Sequence, residues 1–116
     1  MKKIPDLARL DREAAFLQAL AHPVRLQILE FLGDEEKCGC EIEPHINLDQ
    51  STISRHLQLL KRVGVLSSRK NGVRVLYKTN DPRVMKIRQQ VSELVMSRVR
   101  RELALLPLGR PGKRGG

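Results

Sequence analysis

Apolar residues recur every three or four positions along most of the chain, and the rhythm changes to every second position only once, just after Gly64. The pattern predicts a first helix over Asp11 to Leu20, with Ala14, Ala15, Leu17 and Leu20 available for burial. Pro23 suits the first position of a second helix, where its missing N–H costs nothing. Val24, Ile28 and Phe31 form that helix's stripe, and Gly33 ends it. A short helical segment around Glu41 to Ile46 follows, starting close to Cys40 because Pro44 is acceptable only near a first turn. Asn47-Leu48-Asp49 turns the chain into a fourth helix, Gln50 to about Val63, that stops at Gly64. At about a hundred degrees per residue, Ile53, Leu57 and Leu60 share one face of it, and Ser51, Arg55, Gln58 and Arg62 lie opposite. Asp49 is placed to cap its N-terminus.

From Val65 the period is two. Leu66, Ser68 and Lys70 alternate with Val65, Ser67 and Arg69, and a second run, Val73 to Tyr77, follows Asn71-Gly72. Asn-Gly between two such runs predicts a hairpin closed by a type I′ turn. Arg69, Lys70, Arg74 and Lys78 would then place positive charge around its tip. Helix, turn, helix and basic hairpin together make a mainly α fold with a small β-hairpin, a winged helix-turn-helix. Asp81-Pro82 opens a long last helix to about Leu106 with Val84, Ile87, Val91, Leu94 and Val95 on one side, continuing through Val99, Leu103 and Leu106. The domain does not offer enough surface to cover this stripe, so a second copy is expected, giving a homodimer joined through N- and C-terminal helices. The expected organisation is an N-terminal arm over 1–10, one domain over 11–106 and a disordered basic tail over 107–116.

Charge adds a partner to this picture. The 116 residues carry a formal net charge of +9, and the basic residues are grouped, which points to an anionic partner such as nucleic acid. An ordinary amphipathic helix with a solvated charged face would show the same stripe in isolation; the basic hairpin directly after it favours DNA. The polar first turn, Gln50, Ser51, Thr52 and Ser54 with Arg55 and Gln58, is where a DNA-reading helix meets phosphates and base edges. No apolar run approaches the ~20 residues needed to span a bilayer, and Met1-Lys2-Lys3-Ile4-Pro5-Asp6 lacks a secretion signal. A cytoplasmic protein without membrane attachment is therefore expected, its two cysteines kept as thiols. Nothing resembles a nucleophile and base pair or a phosphate-binding glycine loop, so no enzyme is expected.

Leu20-Ala21-His22-Pro23-Val24-Arg25-Leu26-Gln27-Ile28-Leu29, then Cys38-Gly39-Cys40-Glu41-Ile42, then Gln50-Ser51-Thr52-Ile53-Ser54-Arg55-His56-Leu57, then the Asn-Gly hairpin, resemble the ArsR/SmtB family of metal-responsive repressors. The resemblance covers about residues 11 to 95. It implies a homodimeric repressor that binds double-stranded operator DNA without any cofactor and releases it when an inducer binds. Gln50, Ser51, Thr52, Ser54, Arg55 and Gln58 would then face the major groove, with Arg69, Lys70 and Arg74 on the adjacent backbone or minor groove.

Cys38 and Cys40 match the Cys-x-Cys element that supplies thiolates in the arsenic- and antimony-sensing members. Thiolates suit As(III), Sb(III) and other soft ions such as Cd(II), Pb(II) or Cu(I). Where those sensors carry a third cysteine this chain has Glu43, so the remaining ligand would come from outside, or from Glu43 or His45 for a harder ion. No histidine follows His56, so the family's zinc and nickel site on the last helix is missing. Two alternatives stay open at this level: a regulator answering to thiol redox state, and a nucleic-acid-binding module with no metal response. His22, at a helix start, reads as structural, and His56, on the flank of the fourth helix, as structural or as a phosphate contact.

Overall fold

The computed structural model describes residues 6–107. Its elements run α1 Asp6–Leu20, α2 Pro23–Leu32, β1 Lys37–Cys38, α3 Gly39–Ile46, α4 Gln50–Arg62, β2 Leu66–Asn71, β3 Arg74–Thr79 and α5 Arg83–Leu105. The chain divides into two units, one up to Met85 and one from Lys86.

Two helices differ from their sequence expectation. α1 begins at Asp6 rather than Asp11, so residues 6–10 belong to the helix and not to an arm. Its added turn is held locally: Arg9 pairs with Glu13 at 2.8 Å and lies 3.7 Å from Asp6, while Leu7 and Leu10 stay exposed. Of the four residues expected to be buried on α1 only Leu20 is; Ala19 joins it, Phe16 packs alongside, and Leu17 is exposed. Pro44 lies well inside α3 rather than in its first turn. It has no N–H for the Cys40 carbonyl, and both residues are exposed, so water can take that bond. The expected arm residues 1–5 and the tail from Leu108 lie outside the described residues.

The core of the first unit is aliphatic. Ile28, Leu29 and Leu32 from α2, Ile42 from α3, Leu60 from α4, and Val65 and Leu66 at the start of the hairpin are all essentially inaccessible. Ile53 and Leu57 complete the buried side of α4, as the helical period predicts. Val63 ends that helix, and Gly64, at φ 87°, turns the chain out of it.

The sheet has three antiparallel strands in the order β1-β3-β2. Strand β1, which two residues cannot announce by periodicity, pairs Lys37 with Tyr77 and Cys38 with Leu76. The hairpin register also differs from expectation. Asn71 pairs with Arg74, so the two-residue loop is Gly72-Val73 and not Asn71-Gly72. Within that loop positive φ occurs at Gly72, 68°, and not at Val73, as in a type II′ turn. The type I′ register would have set Arg69 directly opposite Arg74, a like-charge pair that destabilises a ladder. The observed register sets Arg69 opposite Leu76 and Lys70 opposite Val75.

The second unit contains the rest of α5. Ile87, Val91, Leu94, Val95, Met96 and Leu103 are exposed along it, and Arg98 pairs with Glu102 at 3.1 Å.

Candidate nucleic-acid interface and cysteine pair

The outward side of α4 carries the residues expected to read DNA. Gln50, Ser51, Ser54, Arg55 and Gln58 are exposed and Thr52 is half-buried. Asp49 caps the helix by accepting from the Thr52 N–H at 3.2 Å, and its carboxylate also accepts the hydroxyl protons of Ser51 and Thr52, each at 2.6 Å. These bonds, the Ser51 hydroxyl foremost, hold the Asp49 carboxyl down to about 2. With their protons committed to Asp49, both hydroxyls are left with acceptor lone pairs only. In that state they can accept from the amino groups of adenine or cytosine but cannot donate to a phosphate.

His56 points the other way, toward the helices behind α4. Arg25 donates to its Nδ1 at 3.2 Å, and also to the Ala19 carbonyl at 2.6 Å and the Gln18 carbonyl at 3.3 Å. Burial, with His22 and Arg25 nearby, pushes the His56 pKa below its ordinary value. His22 caps α2, its Nδ1 accepting the Val24 N–H at 3.1 Å, and its ring lies 4.7 Å from that of His56. Both histidines thus serve the junction of α1, α2 and α4. Sequence reading singled out neither Arg25 nor this junction; the Leu-x-His-Pro-x-Arg stretch was its only signal.

The cations of the hairpin are not equivalent. Lys70 is exposed. Arg69 makes a two-pronged ion pair with Glu36, Nε and Nη2 each 2.8 Å from a carboxylate oxygen. That pair lowers the Glu36 pKa and raises that of Arg69. Glu36, just before β1, carried no sequence signal for this contact. Arg74, the first residue of β3, brings Nη2 to 4.0 Å from Cys40 Sγ and 3.9 Å from a Glu41 carboxylate oxygen.

Cys38 and Cys40, expected as thiols, are joined in a disulfide across Gly39, with their Cα atoms 5.0 Å apart. The local reason is the start of α3. Cys38 is its N-cap, with Sγ accepting the Cys40 N–H at 3.1 Å, and Glu41 closes the capping box by accepting the Cys38 N–H at 2.8 Å. The cap sets the two sulfur-bearing residues side by side, Cys38 buried and Cys40 exposed. A groove of about 440 Å³ opens beside them, between the start of α3, the outer part of α4 and the start of β3; Glu43, Gln50, Ser54 and Arg74 also line it. Of the two auxiliary ligands considered, Glu43 shares this groove, whereas His45 stacks on Phe31 with ring centroids 4.0 Å apart. Among the described residues no group of three His, Cys, Asp or Glu side chains is arranged to hold a metal ion, and no helix is long and apolar enough to cross a membrane.

Residues 22–68, from the cap of α2 into β2, match the model of a family described as bacterial regulatory protein, arsR family. A probable mercury resistance operon repressor of Streptomyces lividans is 38% identical over 74 residues, which are 64% of this chain and 59% of that protein. The chain therefore spans less than two thirds of that relative's length. The nodulation protein NolR of Rhizobium meliloti is 32% identical over 96 residues, 81% of this chain and 79% of that one. Among solved structures, the homodimeric winged helix-turn-helix DNA-binding domain of a possible ArsR-family regulator from Mycobacterium bovis superposes with a TM-score of 0.77 at 28% identity, over 84% of this chain and 91% of that one.

Proposed function

Because the chain belongs to the arsR family of bacterial regulatory proteins, a family of transcriptional regulators and not of enzymes, we propose that it is a homodimeric repressor acting in the cytoplasm on double-stranded operator DNA. Its inducer is As(III), Sb(III) or another soft ion taken by Cys38 and Cys40. In this reading Gln50, Ser51, Thr52, Ser54, Arg55 and Gln58 meet the major groove, and Arg69, Lys70 and Arg74 meet the flanking backbone. The exposed apolar side of α5 and the exposed leucines of α1 form the subunit contact, which sets the spacing of two α4 helices on two half-sites.

One observation carries the inducer assignment: the two sulfurs sit together in the lining of the groove bordered by α4 and β3. Two thiolates, with no group of three ligands arranged among the described residues, fit an ion satisfied by two sulfurs, or one that completes its shell from solvent. The mercury-linked name of one relative adds Hg(II) to the ions worth testing. The Cys38–Cys40 bond favours a second reading, in which oxidation of the same pair is the signal.

Fluorescence anisotropy of the reduced protein on promoter DNA from its own locus tests both. Titration with As(III), Sb(III), Hg(II), Cd(II), Zn(II) and hydrogen peroxide is expected to release DNA with a soft ion, and Cys38→Ser and Cys40→Ser to abolish the release. Release by peroxide alone selects the redox reading. Release by none of them, with tight binding throughout, removes the cysteines from the signalling role.

A further inference from the structure

Cys38 lies within the sheet that forms the wing. It is a residue of β1, paired with Leu76 of β3, and the side chains flanking β1 hold the two arginines of the hairpin. Glu36 on one side binds Arg69 in a two-pronged pair. On the other side Cys40 and Glu41 stand 4.0 and 3.9 Å from Arg74. Glu41 also accepts the Cys38 N–H, so one carboxylate links the cap of α3 to the wing. On α4, by contrast, no hydrogen bond or ion pair among the described residues runs to either cysteine.

The geometry points to Arg74 as the residue that transmits the state of the cysteine pair to DNA, so that the signal leaves through the wing and not through the recognition helix. This rests on the cysteine-gated repressor reading given above. A guanidinium is always charged and has its donors in a fixed fork. With the two sulfurs joined, as in the structure, it stands against Cys40 and the Glu41 carboxylate; joining the sulfurs, by their own bond or through an ion, keeps Cys40 in that place, and parting them lets Arg74 go to phosphate. The state of Cys40 therefore sets where Arg74 points, and a side chain at the first position of β3 has DNA phosphate as its competing partner. By linkage, DNA that takes Arg74 must alter loading of the sulfurs by the same factor.

The test compares wild type, Arg74→Gln and Lys70→Gln on one operator fragment, each fully reduced and after treatment with arsenite or, separately, hydrogen peroxide. In the peroxide arm two thiols lose two electrons and two protons, the S–S bond forms, the O–O bond breaks, and two waters leave. Loading is read independently of DNA, by thiol count and intact mass. Both variants are expected to bind DNA more weakly than wild type. Lys70→Gln should keep the wild-type ratio of affinities before and after treatment, about tenfold or more, while Arg74→Gln should load its cysteines normally yet show a ratio within about threefold of unity. If Arg74→Gln loads and releases DNA as wild type does, the inference fails and the repressor reading stands. If wild type loads but releases DNA under neither treatment, the repressor reading fails and the inference with it.

Discussion

Arg25 and His56 are joined by a 3.2 Å hydrogen bond between α2 and α4, and because arginine only donates, His56 Nδ1 must be the acceptor and its proton must sit on Nε2. Protonating His56 removes that acceptor and leaves two cations facing each other. The pKa of His56 in the folded chain lies below its ordinary 6.5, so the unfolded chain binds more protons in the interval between the two values. Stability from this group is therefore complete above pH 6.5, falls as the pH drops through that interval, and levels off below the folded value. Melting curves between pH 7.5 and 5 should show that loss, and His56→Gln, which keeps an acceptor but cannot titrate, should remove it. Arg25→Ala should cost roughly 1–3 kcal/mol in urea unfolding by stripping bonds from three helices.

Asp49 answers to a lower pH. Its carboxyl is held at about 2 against an ordinary 3.8, so its contribution is present above 3.8 and disappears as the pH falls from there toward 2. Asp49→Ala should lower the melting temperature by losing the cap. Asp49→Asn should retain the cap and, by removing a negative charge from the side of α4 proposed to meet DNA, bind DNA more tightly in low salt.

Glu36 restrains Arg69. If Arg69 touches phosphate, freeing it by Glu36→Gln should raise DNA affinity and steepen the dependence of log K on log salt by up to about one unit. An unchanged slope would mean that Arg69 serves only to brace the wing.

Gly72 has no atom within 4 Å of where a Cβ would lie, but its φ is 68°. A side chain there meets backbone strain and no clash, so Gly72→Val should cost about 1–2 kcal/mol and Gly72→Asn clearly less. Leu60→Ala, at a fully buried position, should cost about 2–5 kcal/mol. Equilibrium urea denaturation measures both.

The parts of the molecule legible in sequence were those with a repeating physical cause. Ile53, Leu57 and Leu60 recur at helical spacing, and they are buried. The alternation after Val65 marks a hairpin, and a hairpin is there. What escaped depends on residues far apart in the chain. Asn71-Gly72 is compatible with two registers, and cross-strand neighbours such as Arg69 and Arg74 discriminate between them only once both strands are in place. β1 is too short to carry a period, and it exists because β3 offers it an edge. The ion pair of Glu36 with Arg69 and the approach of Arg74 to Cys40 follow from that third strand. At the cysteines, the motif was visible in sequence, but the cap that brings the sulfurs together is a property of how α3 starts.

All the buried side chains of α4 fall on one side of it, Ile53, Leu57 and Leu60, while Gln50, Ser51, Ser54, Arg55 and Gln58 stay exposed. The two sets of positions answer to different pressures. A duplicated gene for this chain could rewrite the outward set, and with it the promoters it visits, without having to relearn how to fold.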